Sequence, residues 1–228
     1  MQMPYIQKNY LKYNIGRGYI CGHVDALHAA APAADRYTDT IVKGLIQNAG
    51  CAGIISTVSR LYCDLNRTVT ADNKQGMDEY RTTIKEILDF LHIVDADTQK
   101  LTKPYLHLSF HGMKDANHGP FAIEVGTLQG KSCSPEIRLW FRKTLIRNAR
   151  RIFPEINVVF DQKFKGNKSI IFHRKGDLPG YPGYGPNFHT FQIEIAQSLR
   201  KTYTPLLINL FTDLMTDFQS KFVTFNQY

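Results

Sequence analysis

Long apolar stretches are missing from this chain. Nowhere do about 18 apolar residues run together, so no membrane-spanning helix can be drawn. The first residues, MQMPYIQKNYLKYNIGRGY, are polar and tyrosine-rich where a secretory leader needs an apolar segment. A cytoplasmic location without a membrane partner is the expectation. Cysteine is scarce: Cys21, Cys51, Cys63 and Cys133 stand apart with no C-x-x-C pair, which argues against a zinc knuckle or a disulfide framework and leaves them as buried thiols. Internal repeats and low-complexity tracts are absent. Acidic residues are the scarcer charge, 20 Asp plus Glu against 28 Lys plus Arg for a formal +8. That surplus favours acidic partners without choosing between small carboxylates and nucleic acid.

What is present fits one globular domain over 1–228, with 43% hydrophobic and 21% charged residues. Strand-like apolar runs fall at Tyr19 to Gly22, Ala52 to Thr57, Tyr105 to Phe110, Phe121 to Val125, Asn157 to Phe160 and Phe191 to Ile195. Between them, residues 77–94 place Tyr80, Ile84, Ile87, Leu88 and Leu91 on one helical face. Ser134 followed by Pro135 starts a second helix, running to about Phe153 with a basic face of Arg138, Arg142, Lys143, Arg147, Arg150 and Arg151. A last amphipathic helix is predicted from a Thr204 cap and Pro205 toward Phe222. Strands interleaved with helices indicate an α/β fold, a single domain with a mixed, mainly parallel sheet flanked by helices. Residues 161–187 read as a long loop, because GDLPGYPGYGPN is too rich in breakers for regular structure. A long loop in a compact domain is often a binding loop, which makes its Tyr181 and Tyr184 candidates for touching substrate.

In open α/β sheets ligands gather beyond the carboxyl ends of the strands. Three such ends carry chemistry: YICG leads into His23, with Asp25 and His28 following; YLHLSF ends in His111; and FQIEI contains Glu194. A catalytic zinc needs about three N, O or S ligands and an open position, which two strand-end histidines and a third donor would supply. The segment SRLYCDLNR, Ser59 to Arg67, brings Arg60, Asp64, Asn66 and Arg67 together. A guanidinium fork grips a carboxylate bidentately, so this segment reads either as a carboxylate pocket or as a structural pair of Asp64 with Arg67 or Arg60.

These pieces, in this order and spacing, resemble the N-formylglutamate amidohydrolases, a family grouped with aspartoacylases and zinc carboxypeptidases in one hydrolase fold. The resemblance covers about 20 to 200: a strand ending in His, SRLYCDLNR, HLSFHGMKD, and a Gly-rich loop leading to FHTFQIEI. It implies Zn²⁺ as cofactor, His23 and His111 as metal ligands, Glu194 as the catalytic carboxylate and Arg60 on the scissile carbonyl. Asn66 and Arg67 would then hold the substrate carboxylate. The wider superfamily writes its first ligand pair H-x-x-E, but Ala26 stands three residues after His23. A further ligand must come from elsewhere, His28 being favoured and Asp25 the alternative. Asp39 resembles an acidic position of the family that would orient a ligand.

The activity so implied is hydrolysis of a small acidic N-acyl amino acid such as N-formylglutamate, with Glu194 as general base. A peptidase acting on γ-glutamyl or other carboxylate-ended peptides is the nearest alternative. Two readings of another class are weaker. VGTLQGKS, Val125 to Ser132, resembles a phosphate loop but has only three residues between Gly126 and Gly130 where such a loop has four. The basic helix lacks the interleaved aromatics of a single-strand binder, so no nucleic-acid partner is expected.

Overall fold

Apolar and polar residues alternate along the central strands, and this alternation organises the molecule. The computed structural model describes residues 4–224, so the extreme ends of the 1–228 span lie outside the described residues. The strands are β1 (Ile6–Gln7), β2 (Leu11–Asn14), β3 (Gly22–Ala26), β4 (Ala52–Ser56), β5 (Tyr105–Met113), β6 (Ala122–Gly126), β7 (Asn157–Phe160) and β8 (Phe188–Ala196). They form one sheet in the order β1-β2-β4-β3-β5-β8-β6-β7. Strands β4, β3, β5 and β8 run parallel; β6 is antiparallel to β8 and parallel to β7, and β2 lies antiparallel against β4. The sheet is therefore mixed and mainly parallel, as predicted.

In β5, Leu106, Leu108 and Phe110 point to one face while Tyr105, His107, Ser109 and His111 point to the other, because side chains alternate along a strand. Strand β8 does the same with Phe191, Ile193 and Ile195 against Thr190, Gln192 and Glu194. Helices α1 (Thr38–Ala49), α3 (Pro135–Ile152) and α5 (Gln197–Phe218) cover the apolar face. There Phe141 of α3 stacks on Phe191 at 3.9 Å between ring centroids, and Phe211 of α5 meets Phe110 edge-on at 4.9 Å. Each such ring contributes roughly 1.5–3 kcal/mol by leaving water.

The polar face is buried as well, beneath α2 (Lys74–Phe90) and the segment before β8. Glu79 and Glu86 of α2 tie down the edge hairpin: Glu79 accepts from the Asn9 and Tyr10 amides, and Glu86 accepts from Lys8 and Tyr13.

Local expectations hold with shifted ends. Ser134 caps α3, its hydroxyl accepting from the Ile137 amide, with Pro135 next. The last helix begins earlier than predicted, at Gln197, but breaks at Tyr203 (φ −121°, ψ 25°), so Pro205 opens its second half. A proline cannot continue the ladder of the preceding turn. The loop 161–187 contains a 3₁₀ turn, Lys168–Ile171, and one α-helical turn, α4 (Phe172–Lys175). Helix α1 and the β1–β2 edge were not expected. Helix α1 ends where Gly50 takes a left-handed φ of 70°, a conformation glycine adopts without the steric cost a side chain would bring. All four cysteines are buried and unpaired. No helix among the described residues is long and apolar enough to cross a membrane.

Candidate active site

Strand β3 starts three residues later than the sequence suggests, so His23 and Asp25 lie inside the sheet and His28 stands just beyond its carboxyl end. From there His28 meets His111 of β5 and Asp35, from the turn before α1. The Nδ1 atoms of His28 and His111 are 3.2 Å apart, and Asp35 Oδ2 lies 3.4 Å from the first and 3.6 Å from the second. All three residues are buried. Tetrahedral zinc with bonds near 2.0–2.1 Å sets its ligand atoms about 3.3 Å apart, so these spacings suit one ion.

The hydrogen bonds behind the rings fix which nitrogens face inward. His28 Nε2 is 2.8 Å from Asp64 Oδ1, and a carboxylate only accepts, so Nε2 carries the proton. Ser109 Oγ donates to Asp25 Oδ1 (2.6 Å) and therefore accepts from His111 Nε2 (3.0 Å). Both Nδ1 atoms thus present lone pairs toward Asp35, the one on His28 also accepting from Arg60, and each imidazole is held from behind as metal-bound histidines are. Burial opposes charge on His28, but Asp35 and Asp64 on either side outweigh it and raise its pKa. A cation of any kind is favoured between these carboxylates. Burial would also raise the pKa of Asp35, yet the neighbouring His111 and His28 imidazoles hold it well below the usual carboxylate range. The donor set fits a divalent metal.

Around this group opens a cleft of about 460 Å³. Glu194 sits opposite His111 in the β5–β8 register and lines it. Burial raises the Glu194 pKa, with Asp35 adding to the rise and His111 partly offsetting it; Gln192 donates to its Oε1 at 2.9 Å. Arg60 is pinned on three sides, donating to Ala33 O, to His28 Nδ1 (2.9 Å) and to Asp35 Oδ1 (2.8 Å). Asn66 and Arg67 line the cleft too. Asp64 does pair with Arg67 (3.2 Å), but the guanidinium stays 65% exposed and faces open solvent rather than the core.

His28, His111, Arg60, Asn66, Arg67 and Glu194 therefore come together, while other predicted residues do not. His23 is not part of this group. It stacks nearly parallel on His107 (4.1 Å, 8°) and bonds through Nδ1 to Tyr105 (2.9 Å). With Asp25 and His107 it forms a second cluster of metal-type donors, but the stacked rings point their in-plane lone pairs along parallel planes. Both Asp25 oxygens are already engaged, Oδ2 by Tyr80 (2.6 Å) and His107 (2.7 Å) and Oδ1 by Ser109. Asp25 does not join His28 and His111; through Ser109 it stands behind His111. Asp39 pairs with Lys43 on α1 instead of orienting a ligand. Tyr181 and Tyr184 face away from the cleft and pack by Arg81, which lies 4.1 Å over the Tyr181 ring, and by His173, which bonds the Tyr181 hydroxyl (2.7 Å).

The loop reaches the cleft through its earlier half, Lys163 to Asn167. Buried Glu124 of β6 holds that half, its Oε1 accepting from the Gln162 and Phe164 amides (2.8 and 2.7 Å) and its Oε2 from His118 (2.6 Å). Asp35, Gln192, Lys163 and Lys165 were not anticipated. The first acid downstream of His28 was the only available signal for Asp35. In the phosphate-loop-like turn, the Thr127 and Gln129 amides bind the Asp161 carboxylate, so those donors are already used. On the basic helix Arg138 pairs with Asp161 and Arg142 lies over Phe160.

A family model described as FGase, N-formylglutamate amidohydrolase, matches residues 16–200. No curated protein sequence matches the chain. Among solved structures it is similar to an N-formylglutamate amidohydrolase from Ralstonia eutropha JMP134, with TM-score 0.63 and 14% identity over 91% of this chain and 97% of that one. A metallo-carboxypeptidase from Burkholderia cenocepacia gives 0.54 and 11%, over 96% of this chain and 65% of that one. A bacteriophage poly-gamma-glutamate hydrolase gives 0.51 and 11%, over 94% and 92%. At these identities the likeness is one of fold.

Proposed function

Because the chain belongs to the N-formylglutamate amidohydrolase family, whose members hydrolyse amide bonds, we propose that it is a zinc-dependent hydrolase of a small acidic N-acyl amino acid such as N-formylglutamate. The observation that carries this reading is the meeting of two Nδ1 lone pairs and Asp35 beside Glu194 in one cleft. His28, His111 and Asp35 would hold the ion, which supplies Lewis acidity and makes water acidic near neutral pH.

The remaining work belongs to the chain's own side chains. Glu194, kept a stronger base than a free carboxylate by burial, takes a proton from the attacking water and returns it to the leaving nitrogen. Arg60, fixed by Ala33 and Asp35, offers its guanidinium to the carbonyl oxygen as negative charge develops there. Arg67 and Asn66 seat the substrate carboxylate at the mouth, where the partly solvated guanidinium can exchange Asp64 for ligand.

The test is metal analysis together with turnover. About one zinc per chain and chelator-sensitive release of formate from N-formylglutamate are expected; a metal-free protein with no zinc-stimulated amide hydrolysis would overturn the reading. A second measurement bears on the support behind His111. Ser109→Ala leaves its Nε2 proton without an acceptor and should weaken zinc binding about 10- to 100-fold in competition with a chelator. Wild-type zinc affinity in that variant would remove Ser109 from this role.

A further inference from the structure

The cleft is only half of the recess around Asp35. Asp35, Arg60 and Gly112 also line a second hollow, of about 290 Å³, whose other walls include Arg36, Lys114, Gln197 and Arg200. The pair Asp35–Arg60 therefore stands as a ridge between two basins. Gly112 leaves space for the Arg200 guanidinium on the wall of the second hollow, since a Cβ there would meet it at 2.5 Å.

Both basins are cationic. The first has Arg67, Lys163 and Lys165, and the second has Arg36, Lys114 and Arg200. Arg36 and Lys114 are exposed, and neither side chain has a carboxylate partner among the described residues. Unpaired cations around a concavity concentrate anions and select for them. If Asn66 and Arg67 hold the amino-acid end, the scissile carbonyl lies at Arg60 and the acyl group extends over the ridge. A formyl group, with its single carbon, would leave the second basin untouched.

We propose that the acyl half of the substrate carries its own carboxylate, as a γ-glutamyl or succinyl group does, and that Arg36 and Lys114 receive it. This rests on the amide-hydrolase reading above and narrows it. The substrate is then anionic on both sides of the bond that breaks. Hydrolysis consumes one water, breaks the C–N bond, and yields a dicarboxylic acyl product and a free amino acid.

The experiment compares kcat/KM of the zinc-loaded enzyme for N-succinyl-, N-butyryl- and N-formyl-L-glutamate. Succinyl and butyryl have the same chain length and differ in the terminal carboxylate. N-succinylglutamate should exceed N-butyrylglutamate by about tenfold, as expected for two exposed charge contacts, with added salt shrinking the difference. Arg36→Ala combined with Lys114→Ala should erase this preference mainly through KM, and Arg36→Glu should reverse it. Equal rates on the succinyl and butyryl substrates, or a preference unchanged in both variants, would overturn the inference while N-formylglutamate turnover leaves the hydrolase reading standing. Hydrolysis of none of the three overturns both.

Discussion

Glu194→Gln is expected to lower kcat by about 10²- to 10⁴-fold while zinc content stays at the wild-type level. Glutamine matches glutamate in shape and can still meet the Gln192 amide that reaches Oε1, so the cleft should keep its form. It cannot accept a proton. The loss should therefore appear in kcat, with metal binding and KM little changed, and retained turnover would remove Glu194 from the base role. Stability should move the opposite way. Burial raises the Glu194 pKa in the folded chain, so the folded state favours the protonated form, and the penalty of ionising it grows as pH rises through the folded pKa. With metal stripped by a chelator at neutral pH, the Gln variant should melt at or above the wild-type temperature. A lower melting temperature would contradict the origin assigned to the shift.

Asp35→Asn is expected to have the other large effect, weakening zinc binding by more than the about 100-fold typical of outer partners and abolishing turnover with it. Asp35 is the one carboxylate in the group with His28 and His111, and an amide oxygen carries no charge to offset the ion. The same change removes the charge from one of the three groups that hold Arg60, so added zinc should restore activity incompletely. Asp39→Asn is the control, because Asp39 lies on α1 outside the cleft, pairing with Lys43 and accepting from Thr40. Wild-type zinc affinity in Asp35→Asn would sink the ligand set.

Much of the fold was legible because burial leaves a period in the chain. The apolar members of β5 and β8 fall at every second position, and the Ser134–Pro135 start of α3 has a direct physical cause in capping. Strand ends were less legible. The run YICG suggested a strand closing at Gly22, yet pairing with β4 and β5 carries β3 on to Ala26. The strand end thus moves from Gly22 to Ala26, which puts His23 inside the sheet and leaves His28 just beyond it. The same alternation that marks the apolar face also marks a polar one, in the Tyr105, His107, Ser109, His111 row. An isolated segment cannot show that such a row is buried until the covering helix is known. Asp35 stayed hidden for a related reason: it comes from an irregular turn, where no period singles out a residue. Tyr181 and Tyr184 were chosen for their loop, but only the loop's first half reaches the cleft.

The Glu124 clamp gives that first half an unusual footing. Its two amides are bound to a carboxylate on β6, and β6 is hydrogen-bonded to β8 with Glu124 registered against Glu194. The wall carrying Lys163 and Lys165 and the strand carrying Glu194 are thus joined through one sheet. A ligand of the wrong length cannot be accommodated by easing the wall outward without also displacing the strand beneath the base. On the reading proposed above, selection works as a fixed gauge: a misfit substrate that settles in the cleft lies out of line with Glu194 and is expected to turn over slowly even when it binds.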